Sequence, residues 1–194
     1  MLQKAVVAAD GNWVEKNIRE LRASPVQCIG DEWMLVTAGN IAAGDGAGPG
    51  CWNTMTASWG GLGVVWNKDA AFALVRPSRH TRSFVDANPL FTLSFFGKEH
   101  RKALAFCGEK SGRDHDKAAE AGLTPIVFDG SMAGGKIAGA VSFKEASDII
   151  VCQKLYTHDI DPAAFLTPEI AKNYPQGDYH RLYVAEVLAL LTAK

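Results

Sequence analysis

Three short stretches of this chain carry residues whose types and spacing suit chemistry. The first, Asn53 to Trp59, reads NTMTASW. It alternates hydroxyl-bearing and apolar residues at the period of a β-strand, which puts Thr54, Thr56 and Ser58 on one face and turns Met55 and Ala57 into packing. A flat aromatic ring can lie on such a face, with Asn53 offering a donor and an acceptor and Trp59 a wall. The second stretch, Arg76 to Thr81, reads RPSRHT and follows the apolar run Ala70 to Val75. Two arginines and a threonine hydroxyl there are the groups that a phosphate dianion needs. The third, SGRDHDK, supplies Ser111, Arg113, Asp114 and Lys117 at the expected start of a helix over Arg113 to Ala121, where free backbone amides favour anions. Within it, Asp114 and Asp116 suit helix-start positions better than acid catalysis.

Each stretch also has a plainer reading. Threonine alternating with apolar residues describes an ordinary half-exposed strand, and an arginine at a strand end is commonly a solvated charge. Trp59 is read equally well as a core aromatic.

The elements that must position these residues are mostly strands. Apolar or alternating runs predict strands over Glu32 to Ala38, Cys51 to Trp59, Ala71 to Val75, Phe91 to Phe96, Lys136 to Phe143, Ile149 to Tyr156 and Arg181 to Leu191. Helices are predicted over Thr81 to Asn88 and Glu99 to Cys107, with one or two short ones in Pro162 to Tyr174. That is enough strands for a barrel decorated by helices. A doubly wound sheet would need a glycine fingerprint directly after a strand, and the only glycine-dense run, Gly44 to Gly50, carries a proline and matches none. That run reads instead as a mobile connection.

Composition bounds the rest. With 194 residues, 47% hydrophobic and 21% charged, and a net charge of −1, the chain can bury a core as a single domain over 1–194 without metals or disulfides. It has no extended basic field for nucleic acid or an anionic membrane, and no apolar run long enough to span a bilayer. The first residues lack the apolar core of a signal peptide, so a cytoplasmic location is the default expectation. Cys28, Cys51, Cys107 and Cys152 have no paired spacing and are expected to be buried free thiols. The scattered histidines give no metal-ligand pattern, so no metal is expected.

Order along the whole chain adds a resemblance. From about Leu35 to Leu188 the blocks CWNTMTASWGGLGVVWNK, RPSRHT, FTLSFFGKEHRKALAFCGEKSGRDHDK, AGLTP, VCQKLYTHDIDP and GDYHRLYVAEV resemble the flavoredoxin branch of the flavin reductase-like, FMN-binding split-barrel family. The resemblance implies a mainly β fold with peripheral helices, a Greek-key β-barrel of the split type. It implies FMN as cofactor, held by Asn53, Thr54, Thr56, Ala57, Ser58, Trp59, Arg79, Thr81, Ser111 and Lys117. Arg76 would hold the turn, and Arg101 and Lys102 would stay outside the site on an exposed helix face. The main chain of Thr56, Ala57 and Ser58 would face the flavin's polar edge.

His180, in GDYH, would either meet the substrate on the nicotinamide side of the flavin or order the turn before the last strand. His80 and His100 stand where relatives usually have an aromatic, and Ala185–Glu186 where they have Gly–Glu; a partly exposed substitution is the expectation for His80. NAD(P)H is the implied electron donor. Because the cofactor carries the chemistry, no catalytic side chain is expected. A homodimer with FMN near the interface is implied, and Trp52, Trp66 and Phe95–Phe96 are read as aromatic surplus for it. Three functions stand open: an NAD(P)H-dependent flavin reductase, a flavoredoxin-like carrier serving a redox protein partner, and a flavin-binding barrel without turnover.

Overall fold

A computed structural model of the chain describes residues 7–8, 11–39 and 51–194. The glycine run Gly44 to Gly50 lies outside them. The strands are β1 (Val7–Ala8), β2 (Trp13–Lys16), β3 (Met34–Gly39), β4 (Trp52–Ala57), β5 (Gly60–Val65), β6 (Lys68–Val75), β7 (Leu90–Phe95), β8 (Pro125–Val127), β9 (Val141–Phe143), β10 (Asp148–Asp159) and β11 (Arg181–Ala193). Three α-helices accompany them: α1 (Thr81–Ala87), α2 (Arg101–Glu109) and α3 (Lys117–Ala121). None is long and apolar enough to cross a membrane.

The main sheet runs β4-β3-β7-β10-β11-β6-β5, with β2 added beside the last turn of β11. Its central strands, β3, β7 and the first part of β10, are buried on both faces, and the period of two sorts their side chains. Val36, Leu93, Phe95, Ile150 and Cys152 fill one apolar cluster, whereas Leu35, Ile149 and Val151 fill another on the opposite face. The second cluster also takes Leu104 and Cys107 from α2 and Ile126, Val141 and Phe143 from the small sheet β1-β8-β9. On β7 that outer face is polar: the Thr92 hydroxyl donates to the Val141 carbonyl at 2.7 Å, and Ser94 and Ser142 share a hydrogen bond at 2.7 Å. These bonds dock the small sheet without leaving a buried hydroxyl unpaired.

β4 and β5 lie at opposite ends of the strand order, yet only Ser58 and Trp59 join them. A two-residue link cannot cross a flat sheet of seven strands spaced about 4.8 Å apart. The sheet therefore rolls until its two edges meet without pairing, which is a split barrel. Register shifts between Val151 and Cys152 and between Lys154 and Tyr156 are bulges, which bend a strand and sharpen its coil.

Several local expectations change. The segment Gln27–Glu32, expected in part as strand, is a π-helix. β5, β8 and the two N-terminal strands were not anticipated, and only Val141–Phe143 of the predicted strand from Lys136 is extended. The stretch Pro162 to Tyr174 holds short 3₁₀ turns over Pro162–Ala164 and Pro168–Asn173. α3 starts at Lys117 rather than Arg113, because the Asp116 carboxylate accepts from the Ala119 N–H at 3.1 Å and caps it there. Cys28, Cys107 and Cys152 are buried, but Cys51 is exposed. Of the aromatic surplus, Trp52, Phe95 and Phe96 belong to the core; Trp66 alone is exposed.

Candidate functional site

The seam between the two sheet edges opens into a cavity of about 430 Å³. Met55, Thr56, Ala57, Ser58 and Trp59 line it from β4 and the link, Leu74 and Arg76 from the end of β6, and Ser78, Arg79 and His180 from the loops beyond. β4 pairs only with β3, so its other edge offers unpaired main-chain groups to this space. A smaller cavity of about 50 Å³ shares Met55, Ser78 and Arg79 with the first and adds His80, Thr81, Glu109, Lys110, Ser111 and Lys117. The two adjoin through those shared residues, a wide arm at the seam and a narrow arm between α1 and the loop before α3.

The narrow arm is cationic. Lys117 is buried, and its Nζ donates to the carbonyls of Thr54 and Cys107, each at 2.8 Å. An ammonium has three protons, so one stays free for the cavity. Burial pulls its pKa down to about 8, with Cys107 raising it and Arg79 lowering it further. Arg79 is lowered by burial and then by Arg76, and no acceptor meets its guanidinium among the described residues. Glu109, the one carboxylate of the arm, pairs with Lys110 at 2.9 Å and is largely in solvent. A half-buried guanidinium without a counter-ion is costly unless an anion completes it.

The wide arm is aromatic at its mouth. Trp59 lies 4.8 Å from the His180 ring and 6.4 Å from Tyr174. The Tyr174 hydroxyl sits 2.9 Å from His180 Nδ1 and shares a hydrogen bond with it. Burial, followed by Arg76, drives the His180 pKa down to about 4, although Asp178 opposes this; the ring is neutral. Arg76 fixes this corner, donating to Asp178 at 2.7 Å and to the Asn173 carbonyl at 2.9 Å, with Tyr174 under its guanidinium at 5.1 Å.

Of the residues picked out in the sequence, Thr56, Ala57, Ser58, Trp59 and His180 meet in the wide arm; Thr81, Ser111 and Lys117 meet in the narrow one, and Arg79 in both. Asn53 and Thr54 line neither. Asn53 donates to the Thr81 hydroxyl at 3.0 Å, and a Cβ on Gly112 would fall 2.1 Å from its Oδ1, so it clamps α1 to the loop before α3. Thr54 shares a hydrogen bond with Thr37 at 2.8 Å. The Thr56 hydroxyl donates to the Leu104 carbonyl of α2. The hydroxyls of Thr54 and Thr56 are therefore turned into protein rather than toward a ring, while Met55, Thr56, Ala57 and Ser58 line the cavity. Met55, Leu74, Ser78 and His80 were missed. Ser78 and His80 lie inside RPSRHT, whereas Met55 and Leu74 carry no signal that separates them from core.

No family model matches the chain, and no curated protein does. Solved structures match it closely in shape. An FMN-binding domain of a flavin reductases-like enzyme from Shewanella baltica superposes at a TM-score of 0.60 with 16% identity, over 95% of this chain and 79% of that one. Flavoredoxin of Desulfovibrio vulgaris gives 0.58 at 18% identity, over 84% and 69%. An NADH:FAD oxidoreductase of Streptomyces globisporus, in complex with NAD and FAD fragments, gives 0.54 at 15%, over 84% and 80%. The fold is the FMN-binding split barrel. In this split barrel the wide arm occupies the seam, where, among the described residues, the edges β4 and β5 face each other unpaired.

Proposed function

We propose that this chain is an FMN-binding flavoprotein of the flavin reductase-like type, moving electrons from NAD(P)H to FMN or to a further acceptor. The observation that carries the reading is the pair of adjoining cavities: a wide arm within the roughly 300–1,000 Å³ of small-molecule sites, beside a narrow arm whose half-buried Arg79 meets no counter-ion among the described residues. A ring joined to a terminal phosphate has that shape and that charge.

The residues present fit such a group. Arg79, Lys117, Ser111 and Thr81 would hold the phosphate, with Asn53 steadying Thr81. The open edge of β4 over Thr56 to Ser58 would meet the polar edge of the ring, while Trp59 and His180 would wall it. A bound flavin supplies the electron chemistry itself. The chain's own part is to bind, orient and exclude water; neutral His180 adds one ring N–H beside the space where a nicotinamide would stack. The oxidoreductase from Streptomyces, with its NAD and FAD fragments, supports the reductase reading, and the flavoredoxins support the carrier alternative.

Titrating flavin-free protein with FMN tests the proposal. Shifted flavin bands and quenched fluorescence are expected, and unchanged spectra at saturating FMN would sink it. NAD(P)H oxidation with turnover then separates a reductase from a carrier that retains its flavin and awaits a protein partner.

We also read the chain as a homodimer. Val64, Trp66, Leu155 and Tyr156 leave apolar surface exposed beside the open edge of β5, with Trp66 and Tyr156 in ring contact at 6.3 Å. Sedimentation should give a dimer for the native chain and more monomer for Trp66→Glu; an unchanged monomer in both would refute this.

A further inference from the structure

A separate cavity of about 650 Å³, larger than the wide arm, lies at the opposite end of α2 from the narrow arm. Residues of the segment from Ser24 to Glu32 form one wall; Phe96 to Lys98, after β7, and Arg101 and Leu104 of α2 form the other. It shares no lining residue with either arm of the flavin site.

Arg101 is fixed on this wall rather than loose in solvent. Its Nη1 donates to the carbonyls of Asp31 and Glu32 at 2.8 and 2.9 Å, and its guanidinium lies 3.1 Å over the centre of the Trp33 ring. Trp33 has a left-handed φ of 71° directly after the π-helix Gln27–Glu32, a conformation that is costly for a bulky residue. The strained turn thus supplies two carbonyls and a ring that hold one guanidinium in place. Both Nη1 protons are spent there. The Nε–Nη2 edge, which suits paired hydrogen bonds to a carboxylate, meets no acceptor among the described residues.

The other lining groups narrow the ligand. Glu32 is already committed, accepting from Arg22 at 2.7 Å and from Gln27 at 3.1 Å. Lys98 and Arg101 therefore stand against the single carboxylate of Asp31. Phe96 and Leu104 give the cavity an apolar floor, and Val26 at its rim is 81% exposed. A concave apolar surface with a few convergent polar groups is the usual form of a small-molecule site.

We propose that this cavity binds a small monocarboxylate with an apolar tail. The Nε–Nη2 edge of Arg101 pairs with the carboxylate, Lys98 adds a second positive charge, and the tail lies along Phe96 and Leu104 beneath Val26. A cationic ligand would have only Asp31 to meet, and a neutral one would leave the Arg101 edge unanswered. The inference stands apart from the flavin reading.

The test titrates octanoate into the full ¹⁵N-labelled chain, with octanol and octylamine as its neutral and cationic counterparts. Octanoate should shift the backbone amides of Val26, Gln27, Asp31, Gly97 and Lys98 and leave those of Ala57, Ser58 and Arg79 in place. Octanol and octylamine should bind about tenfold more weakly, and Arg101→Gln should weaken octanoate by about tenfold or more. Because Arg101 also holds the turn at Trp33, Lys98→Gln is the second variant; it should weaken octanoate by up to about fivefold. The absence of shifts at millimolar octanoate, shifts confined to the seam, or equal binding of octanol or octylamine would overturn the proposal. So would unchanged octanoate affinity in both variants.

Discussion

The proposed reading gives Arg79 and Lys117 to the phosphate end of the cavity rather than its ring end, and that division is measurable. Replacing either with Ala should weaken FMN by about 1.5–3 kcal/mol, the scale of a hydrogen bond to a charged group, while riboflavin, which lacks the phosphate, should lose little. Equal losses for both ligands would mean that the residues act through the fold. Lys117 adds a pH dependence. Its pKa in the free protein is about 8, below the ordinary value of 10.5. Below pH 8 it is charged and ready for an anion; above it, binding must first take up a proton. FMN affinity should therefore be level up to about pH 8 and fall as pH rises further, with riboflavin flat across the range. The same shift has the opposite sign for folding: the unfolded chain holds this proton more tightly, so the Lys117 contribution to stability rises with pH between about 8 and 10.5. Fluorescence titration and denaturant melts at several pH values read the two effects separately. Charged and hydroxyl residues of the narrow arm were legible in the sequence because phosphate chemistry restricts residue type. Asn53 and Thr54, which line neither arm, show what alternation leaves open: it says which side chains share a face, but not whether water, a ligand or α2 covers that face.

At the scale of elements, long runs of Val, Ile, Leu and Phe gave β3, β7, β10 and β11 nearly to their ends, since burial on both faces leaves an unbroken apolar signal. β5, which reads GGLGVV, was invisible because glycine contributes neither period nor propensity. Its glycines are there for close approach. A Cβ on Gly60 would fall 2.4 Å from the Phe72 carbonyl oxygen, whereas one on Gly61 would meet only the Phe72 ring at 3.7 Å. Gly60→Ala should thus cost about 1–3 kcal/mol of stability, as overpacking against backbone does, and should loosen the seam where Trp59 stands. Gly61→Ala, one residue along the same strand, should fall within about 1 kcal/mol of the native chain. Matching denaturant midpoints for the two variants would show that β5 does not constrain the seam. Helix starts were the other blind spot, because Asp114 and Asp116 are both suitable caps by type and only the turn Ser111 to His115, closed by the Ser111 carbonyl accepting from the N–H groups of Asp114 and His115, selects the second.

Over the whole molecule, the rolled sheet brings the cavity-lining residues of β4, β6 and the loops beyond them to one seam. Two unpaired edges joined by Ser58 and Trp59 form a groove whose floor is barrel core and whose end is a cationic pocket. Five of the six sequence blocks fall on an edge, a seam loop or a central strand, and AGLTP lies in the turn from α3 into β8. Nothing in the described residues offers a separate dinucleotide domain: no glycine fingerprint follows a strand into a helix, and the parallel pairing of β1 with β8 spans two residues. A nicotinamide would then have to stack over the flavin itself, between the ring and the aromatic mouth of Trp59, Tyr174 and His180. NADH and NADPH should both be displaced by flat aromatic ligands that cover the flavin, and stripping FMN should abolish nicotinamide binding together with the flavin bands. Calorimetry on flavin-free protein decides the matter. Tight NAD(P)H binding there would contradict stacking on FMN and require a nucleotide site elsewhere on the barrel.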